Sequence, residues 1–228
     1  WSALEQIHNI GDIRVKPTID AIAKAITYSV DNIPGIEGLK DKSVLIACDV
    51  SGSMTFHTLS QFSAIRLIDV GVILGILLAS QLRYVITGVF GDNWAPCHFG
   101  NHPLDQTQLP AVGFATYTHK VLDWAIQNRK QFDKLIFFSD LQVANDYGRV
   151  PNLGYKGPQD TKSEFQDAWR HYKREYPDAQ MILFNLQGYG TTPIDMIEKD
   201  VLLVSGFSAN IFRVISEWKN IKEIILNA

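Results

Sequence analysis

The sequence has few cysteines, little net charge and no long apolar segment, and each of these absences excludes a class of protein. Two cysteines in 228 residues exclude a disulfide-rich framework and favour an intracellular setting. A net charge of −3 predicts no large basic surface for nucleic acid or anionic lipid. The apolar segment from Leu67 to Ala79 is too short to span a bilayer. We therefore expect a cytoplasmic globular protein without a membrane partner, as its 46% hydrophobic composition also suggests.

Other signals are also missing. There is no internal repeat, no low-complexity segment, no glycine-rich phosphate loop and no signal-peptide pattern. The chain begins with Trp1 rather than methionine, which suggests a piece of a longer protein. Residues 1–42 are expected to form a helical segment and linker, and residues 43–228 a single domain.

Apolar strands alternate with helical patterns from residue 43 onward. Near-continuous apolar strands are typical of a parallel sheet that helices cover on both faces. We expect an α/β fold with a doubly wound, mostly parallel sheet. The predicted strands are Ser43–Cys48, Tyr84–Phe90, Lys134–Ser139, Gln180–Asn185 and Val201–Val204, with Trp94–His98 as a short edge strand. The predicted helices are residues 2–33, Leu59–Gln81, Thr118–Arg129, Thr161–Tyr176 and Ala209–Leu226.

The segment Asp49-Val50-Ser51-Gly52-Ser53 carries a carboxylate and two hydroxyls directly after the first of these strands. Oxygen ligands without sulfur or imidazole suit Mg²⁺, Mn²⁺ or Ca²⁺ rather than zinc. Thr116 and Asp140 lie near the ends of other elements, and ligands bind at the carboxyl ends of parallel strands. Taken alone, Asp49 and the serines could simply cap the following helix. The convergence of all five residues favours a metal site.

These residues resemble a known family. Asp49-Val50-Ser51-Gly52-Ser53 is similar to the Asp-x-Ser-x-Ser motif of von Willebrand factor type A (vWA) domains. Thr116 and Asp140 match the threonine and aspartate that complete that family's metal-ion-dependent adhesion site (MIDAS). The resemblance covers about residues 43–228. It implies a Rossmann-like fold and a metal site built from Asp49, Ser51, Ser53, Thr116 and Asp140.

A narrower resemblance points to the Ro autoantigen (TROVE) family. It is carried by Trp124-Ala125 in the helix after Thr116 and by Gly206-Phe207 before the last helix. Arg14-Val15-Lys16-Pro17 is similar to the end of that family's helical-repeat region. In the family this region forms a ring that binds misfolded and small noncoding RNAs. The resemblance therefore implies RNA binding through an N-terminal region that is mostly absent here.

The vWA resemblance implies a binding role rather than catalysis. Ser51, Ser53 and Thr116 would bind Mg²⁺ directly or nearly so, while Asp49 and Asp140 would balance its charge. An acidic side chain of a partner protein would then complete the coordination shell. We expect no enzymatic activity. Two alternatives stay open, namely a metal-dependent hydrolase or phosphotransferase and a structural domain that closes a helical-repeat ring.

Overall fold

The computed structural model of the protein describes residues 28, 36–58, 63, 65–99, 109–142, 161–187, 200–205 and 213–218. The predicted helix over residues 2–33 lies outside these ranges, apart from Tyr28, which is helical. The expected domain boundary at residue 42 stays a prediction. Within the described residues, no helix is long and apolar enough to cross a membrane.

Six strands form one sheet in the spatial order β3-β2-β1-β4-β5-β6. All neighbouring strands are parallel except β2 and β3, which form an antiparallel pair at one edge. The strands are β1 Ser43–Asp49, β2 Tyr84–Phe90, β3 Trp94–Pro96, β4 Lys134–Ser139, β5 Gln180–Asn185 and β6 Val201–Ser205. The prediction of a mostly parallel, doubly wound sheet is confirmed, including the short edge strand.

Helices lie between β1 and β2, between β3 and β4, and between β4 and β5 along the chain. A 3₁₀ helix precedes the sheet, and a short helical stretch follows β6. In chain order they are a 3₁₀ helix Ile36–Leu39, α1 Gly52–Phe56, α2 Leu67–Ala79, α3 His119–Gln127, α4 Thr161–Glu175 and α5 over residues 213–218.

The predicted helix Leu59–Gln81 begins too early, because α2 starts at Leu67. Thr58 forms an isolated antiparallel bridge with Arg66, so both residues have extended backbones. The carboxylate of Asp69 then accepts hydrogen bonds from the backbone N–H and the guanidinium of Arg66 at 2.7–3.0 Å. These contacts fix the helix start at a point that hydrophobic periodicity alone does not reveal.

The core has two layers, one on each face of the sheet. In β1, Val44, Ile46 and Cys48 belong to the cluster that includes α2. Leu45 and Ala47 belong to the cluster formed with α3 and α4. Because both faces of β1 are covered, the strand is apolar between its two ends, and its polar residues Ser43 and Asp49 are the first and the last.

Helix α2 packs closely against the sheet because it has glycine on its buried face. A Cβ atom on Gly75 would lie 3.0 Å from Cys48 Sγ and 3.0 Å from the Phe99 ring. A Cβ on Gly71 would lie 3.3 Å from a Leu186 methyl carbon. These two glycines therefore allow the helix and the sheet to approach each other closely.

We predict that Gly75→Ala lowers the free energy of unfolding by about 1–2 kcal/mol, because overpacking outweighs alanine's intrinsic helix preference of ~1 kcal/mol. Urea denaturation of both variants would measure this. Gly71→Ala is the matched comparison and should cost less, since its neighbours are slightly farther away. A gain in stability for Gly75→Ala would contradict the close packing described above.

A buried lysine lies at the opposite end of the sheet from Asp49. Lys134 is the first residue of β4, and its Nζ donates a hydrogen bond of 2.5 Å to Gln180 Oε1. Burial, helped by the positive charge of Lys42, lowers the pKa of Lys134 from 10.5 to about 8. Between pH 8 and pH 10.5, the Lys134 amine is therefore mostly protonated in the unfolded chain and mostly neutral in the folded protein.

The stability of the protein should consequently depend on pH through Lys134. As pH rises from 8 to 10.5, the free energy of unfolding should rise relative to that of Lys134→Met, by up to roughly 3 kcal/mol. Urea denaturation of both proteins across this range would measure the difference. Other titrating groups cancel in the comparison. A difference that stays constant with pH would show that Lys134 titrates normally.

Candidate metal centre

Asp49 is the last residue of β1 and is almost fully buried. Its Oδ1 accepts a hydrogen bond of 2.8 Å from the backbone N–H of Ser51. Its Oδ2 accepts one of 2.5 Å from the hydroxyl of Ser139, at the end of the neighbouring strand β4. The carboxylate is thus held in one orientation by two donors from different parts of the chain.

Burial raises the pKa of Asp49 from 3.8 to about 7. The hydrogen bonds from Ser139 and Ser51 oppose this rise, whereas the nearby negative charge of Asp140 adds to it. The two carboxylates are therefore close enough to repel each other inside the protein. This cost would be offset by a cation between or beside them.

The two serines of the motif begin helix α1. Ser51 is buried at the N-cap position, yet its side chain makes no capping hydrogen bond. Its Oγ lies 3.3 Å from Ser53 Oγ instead. Helix capping does not explain Ser51, and the two hydroxyl oxygens lie next to each other, as two ligands of one ion would.

Thr116 is buried in the loop before α3, and this loop is tied to the motif through the backbone. The N–H of Gly52 donates to the carbonyl of Phe114 at 2.9 Å. The N–H of Tyr117 donates to the carbonyl of Gly91, at the end of β2, also at 2.9 Å. Thr116 is thus held between the motif and the carboxyl end of a second strand.

Two residues that the sequence analysis did not single out shape this loop. The Asp92 carboxylate accepts a hydrogen bond of 2.6 Å from the N–H of Ala115. Gly113 has a φ of +88°, and a Cβ there would lie 2.3 Å from the Asp92 carboxyl carbon. Only glycine fits this position without a rearrangement.

Asp140 follows β4 directly and is completely buried. Its Oδ1 accepts a hydrogen bond of 3.1 Å from the N–H of Gln142. Its Oδ2 is buried and has no hydrogen-bond partner among the described residues. A buried carboxylate oxygen without a donor is costly, and a cation would satisfy it. The residues present therefore fit a hard divalent ion.

The five predicted residues differ in how directly the structure connects them. Hydrogen bonds or electrostatic contact link Asp49, Ser51, Ser53 and Asp140. Thr116 is linked through the backbone of its loop. Within the described ranges, no group of three or more His, Cys, Asp or Glu could hold a metal. A metal at this place would therefore depend on hydroxyl oxygens.

The side chains around the candidate site differ in exposure. Met54 and Tyr117 are buried, whereas Phe56 and His57 are exposed. Thr118 lies at the N-cap position of α3, but its hydroxyl makes no capping bond and is buried without a partner among the described residues.

Ser139 is the main site residue that the sequence analysis missed. It was assigned to the end of an apolar strand, and its neighbour Asp140 was chosen instead. Its hydroxyl donates to Asp49 Oδ2 and accepts from the N–H of Leu141 at 2.9 Å. A polar residue in the last position of a buried strand was the available signal.

The fold has a counterpart among solved structures. The crystal structure of the Deinococcus radiodurans Ro (RSR) protein matches 90% of this chain with a TM-score of 0.62 and 18% sequence identity. The chain shares its fold with part of a Ro protein. It spans 39% of that Ro chain, and this level of identity shows the fold alone. No protein-family model matches the sequence, and no curated protein is significantly similar to it.

We predict that Ser139→Ala lowers the free energy of unfolding by about 1–3 kcal/mol, because the buried Asp49 carboxylate and the Leu141 N–H both lose a partner. Chemical denaturation would measure the change. Ser80→Ala is a suitable control, since the exposed Ser80 hydroxyl makes only local hydrogen bonds, to the Leu77 carbonyl and from the Gln81 amide. Equal losses in the two variants would refute the role assigned to Ser139.

Proposed function

We propose that this chain is a divalent-metal-dependent binding module that docks an acidic side chain of a partner protein. The observation that carries the proposal is the buried Oδ2 of Asp140, which has no hydrogen-bond partner among the described residues and lies near the buried carboxylate of Asp49. The ion would be Mg²⁺, with Mn²⁺ or Ca²⁺ as alternatives. The residues that would hold it are Asp49, Ser51, Ser53, Thr116 and Asp140.

The set of donor atoms would leave the bound ion able to accept an anion from a partner, because it does not neutralise the ion with additional carboxylates. Two carboxylates, Asp49 and Asp140, match the charge of a divalent cation, and the remaining donors are neutral hydroxyls. The bound ion would supply a Lewis-acidic position that accepts an external carboxylate. Ser53 is only partly buried and lies beside the exposed end of α1, which supports access for a partner from this side.

We propose that the module is not an enzyme. His57 Nδ1 lies 3.0 Å from the backbone carbonyl of Ser53, and His119 Nδ1 lies 3.5 Å from Glu164 Oε2. Neither contact places a general base beside a hydroxyl nucleophile. A metal-dependent hydrolase or phosphotransferase would need such a base or an activated water. Metal-dependent turnover that Asp49→Asn abolishes would support that alternative.

We further propose that the chain belongs to a Ro-like, RNA-binding ribonucleoprotein protein. The shared fold with part of the Deinococcus Ro protein supports this context. The chain spans 39% of that protein, so RNA binding would depend on a region beyond the one described here. In this proposal small noncoding or misfolded RNA binds the helical-repeat region, whereas the module binds protein.

The metal site can be tested by isothermal titration with Mg²⁺ and Mn²⁺, together with melting temperatures with and without metal. We expect the wild type to bind one ion and to melt at a higher temperature with metal. Asp140→Asn should lose both effects. In chelator, Asp140→Asn should be at least as stable as the wild type, because the repulsion between the two buried carboxylates is removed.

The control for this experiment is Asp41→Asn. Asp41 is an exposed carboxylate paired with the exposed Arg83, so its loss should leave metal binding unchanged. If the wild type binds no divalent ion, or if Asp140→Asn binds it equally well, the proposed site is wrong.

The structural alternative makes a different prediction for the same variants. If a metal only stiffens the domain, Asp140→Ala lowers the melting temperature in metal without changing which partners the protein retains. Affinity purification with wild type and Asp140→Ala, each at a temperature where it is folded, separates the two cases. If folded Asp140→Ala no longer retains the acidic partners that the wild type retains, the result supports the binding module.

A further inference from the structure

Two phenylalanines form an exposed aromatic pair beside the candidate metal centre. Phe56 and Phe114 are 76% and 71% exposed, and their rings stack at a centroid distance of 6.4 Å and an interplanar angle of 16°. The described residues contain four exposed large hydrophobic side chains, and the other two are Tyr28 and Tyr84. Two of these four side chains therefore lie against each other at one place on the surface.

The Phe56–Phe114 pair is positioned by the same segments that carry the metal ligands. Phe56 is the last residue of α1, which begins directly after Ser51. The Phe114 carbonyl accepts the N–H of Gly52 at 2.9 Å, and a Cβ on Gly52 would lie 3.8 Å from Phe114 Cβ. Phe114 therefore packs against the residue between Ser51 and Ser53. The pair therefore lies next to the segment that carries the hydroxyls of Ser51 and Ser53.

This exposure is not explained by packing within the domain. Phe90, Phe137 and Phe138 show that the core accommodates aromatic rings, since all three are fully buried. An exposed pair of rings leaves apolar area in water that a partner could cover. Both rings are carried on backbone segments fixed by hydrogen bonds, so little conformational entropy would be lost when they are covered.

The charges around the site indicate the class of partner. No lysine or arginine occurs between Lys42 and Arg66, or between Arg83 and Lys120. These two segments contribute Asp49, Ser51, Ser53, Thr116 and both members of the pair. A nucleic-acid backbone would find no lysine or arginine in them, although contacts with these side chains usually supply much of the affinity for nucleic acids. A single carboxylate would depend on the metal ion alone.

From this juxtaposition we propose that the partner is a protein segment in which a large apolar side chain lies next to the acidic residue. The acidic residue enters the metal centre, and the apolar side chain covers the Phe56–Phe114 pair. This inference rests on the proposed metal-dependent function. It adds a second recognition element, because the ion selects for a carboxylate of any kind and the aromatic pair selects for its neighbour.

The test is a selection of phage-displayed random dodecapeptides on the protein in the presence of Mg²⁺. Enriched sequences are then synthesised, and their affinity is measured by fluorescence anisotropy with Mg²⁺ and with chelator. We expect the enriched peptides to contain Asp or Glu within two residues of Phe, Trp, Leu, Ile or Met. Their binding should disappear in chelator.

The double variant Phe56→Ser/Phe114→Ser separates this inference from the function on which it rests. It should bind these peptides at least about tenfold more weakly than the wild type while binding Mg²⁺ equally in isothermal titration. Tyr84→Ser is the matched control, because Tyr84 is 63% exposed and lies at the amino end of β2, away from the site. It should bind peptides as the wild type does.

Several outcomes would overturn the inference. Acidic peptides that bind the double variant and the wild type equally would leave the metal function intact and remove the role of the aromatic pair. The same holds if Mg²⁺ binds but no peptide is enriched. The wild type could instead bind single-stranded RNA or self-associate in ultracentrifugation. If the double variant loses that property and Tyr84→Ser keeps it, the aromatic pair binds RNA or a second copy of the chain. Absence of Mg²⁺ binding in the wild type would instead refute the underlying function.

Discussion

The candidate metal centre depends on two buried carboxylates at the carboxyl ends of adjacent parallel strands. Asp49 ends β1 and Asp140 follows β4, and the parallel pairing of these strands places both side chains at the same edge of the sheet. Removing two negative charges from water at neighbouring positions is unfavourable unless donors or a cation compensate. The hydroxyl of Ser139, the N–H of Ser51 and the loop around Thr116 all contribute to that edge.

The sheet could be predicted from the sequence because burial on both faces makes each central strand a continuous apolar run. The bounds of β2, β4 and β5 agree with the prediction residue for residue. The start of α2 could not be predicted, because an antiparallel bridge between Thr58 and Arg66 overrides the helical pattern before it. Such a contact between residues separated along the chain leaves no local signature.

The candidate site could also be predicted only in part from the sequence. Asp49, Ser51 and Ser53 are recognisable from their spacing, and Thr116 and Asp140 from their places after or between elements. The hydrogen bond from Ser139 to Asp49 could not be predicted, because it requires β4 to lie beside β1. A single sequence does not specify this strand order. Likewise, Phe56 stacks on Phe114 where a backbone hydrogen bond at Gly52 joins α1 to the distant loop that contains Phe114.

The hydrogen bond between Ser139 and Asp49 joins residues 90 positions apart. Closing so long a stretch of chain is entropically costly, and parallel strand pairing of this kind is a late and slow event in folding. The hydrogen bond between Ser139 and Asp49 therefore requires β4 to be paired with β1. A divalent ion would stabilise the finished domain and slow its unfolding without accelerating its folding.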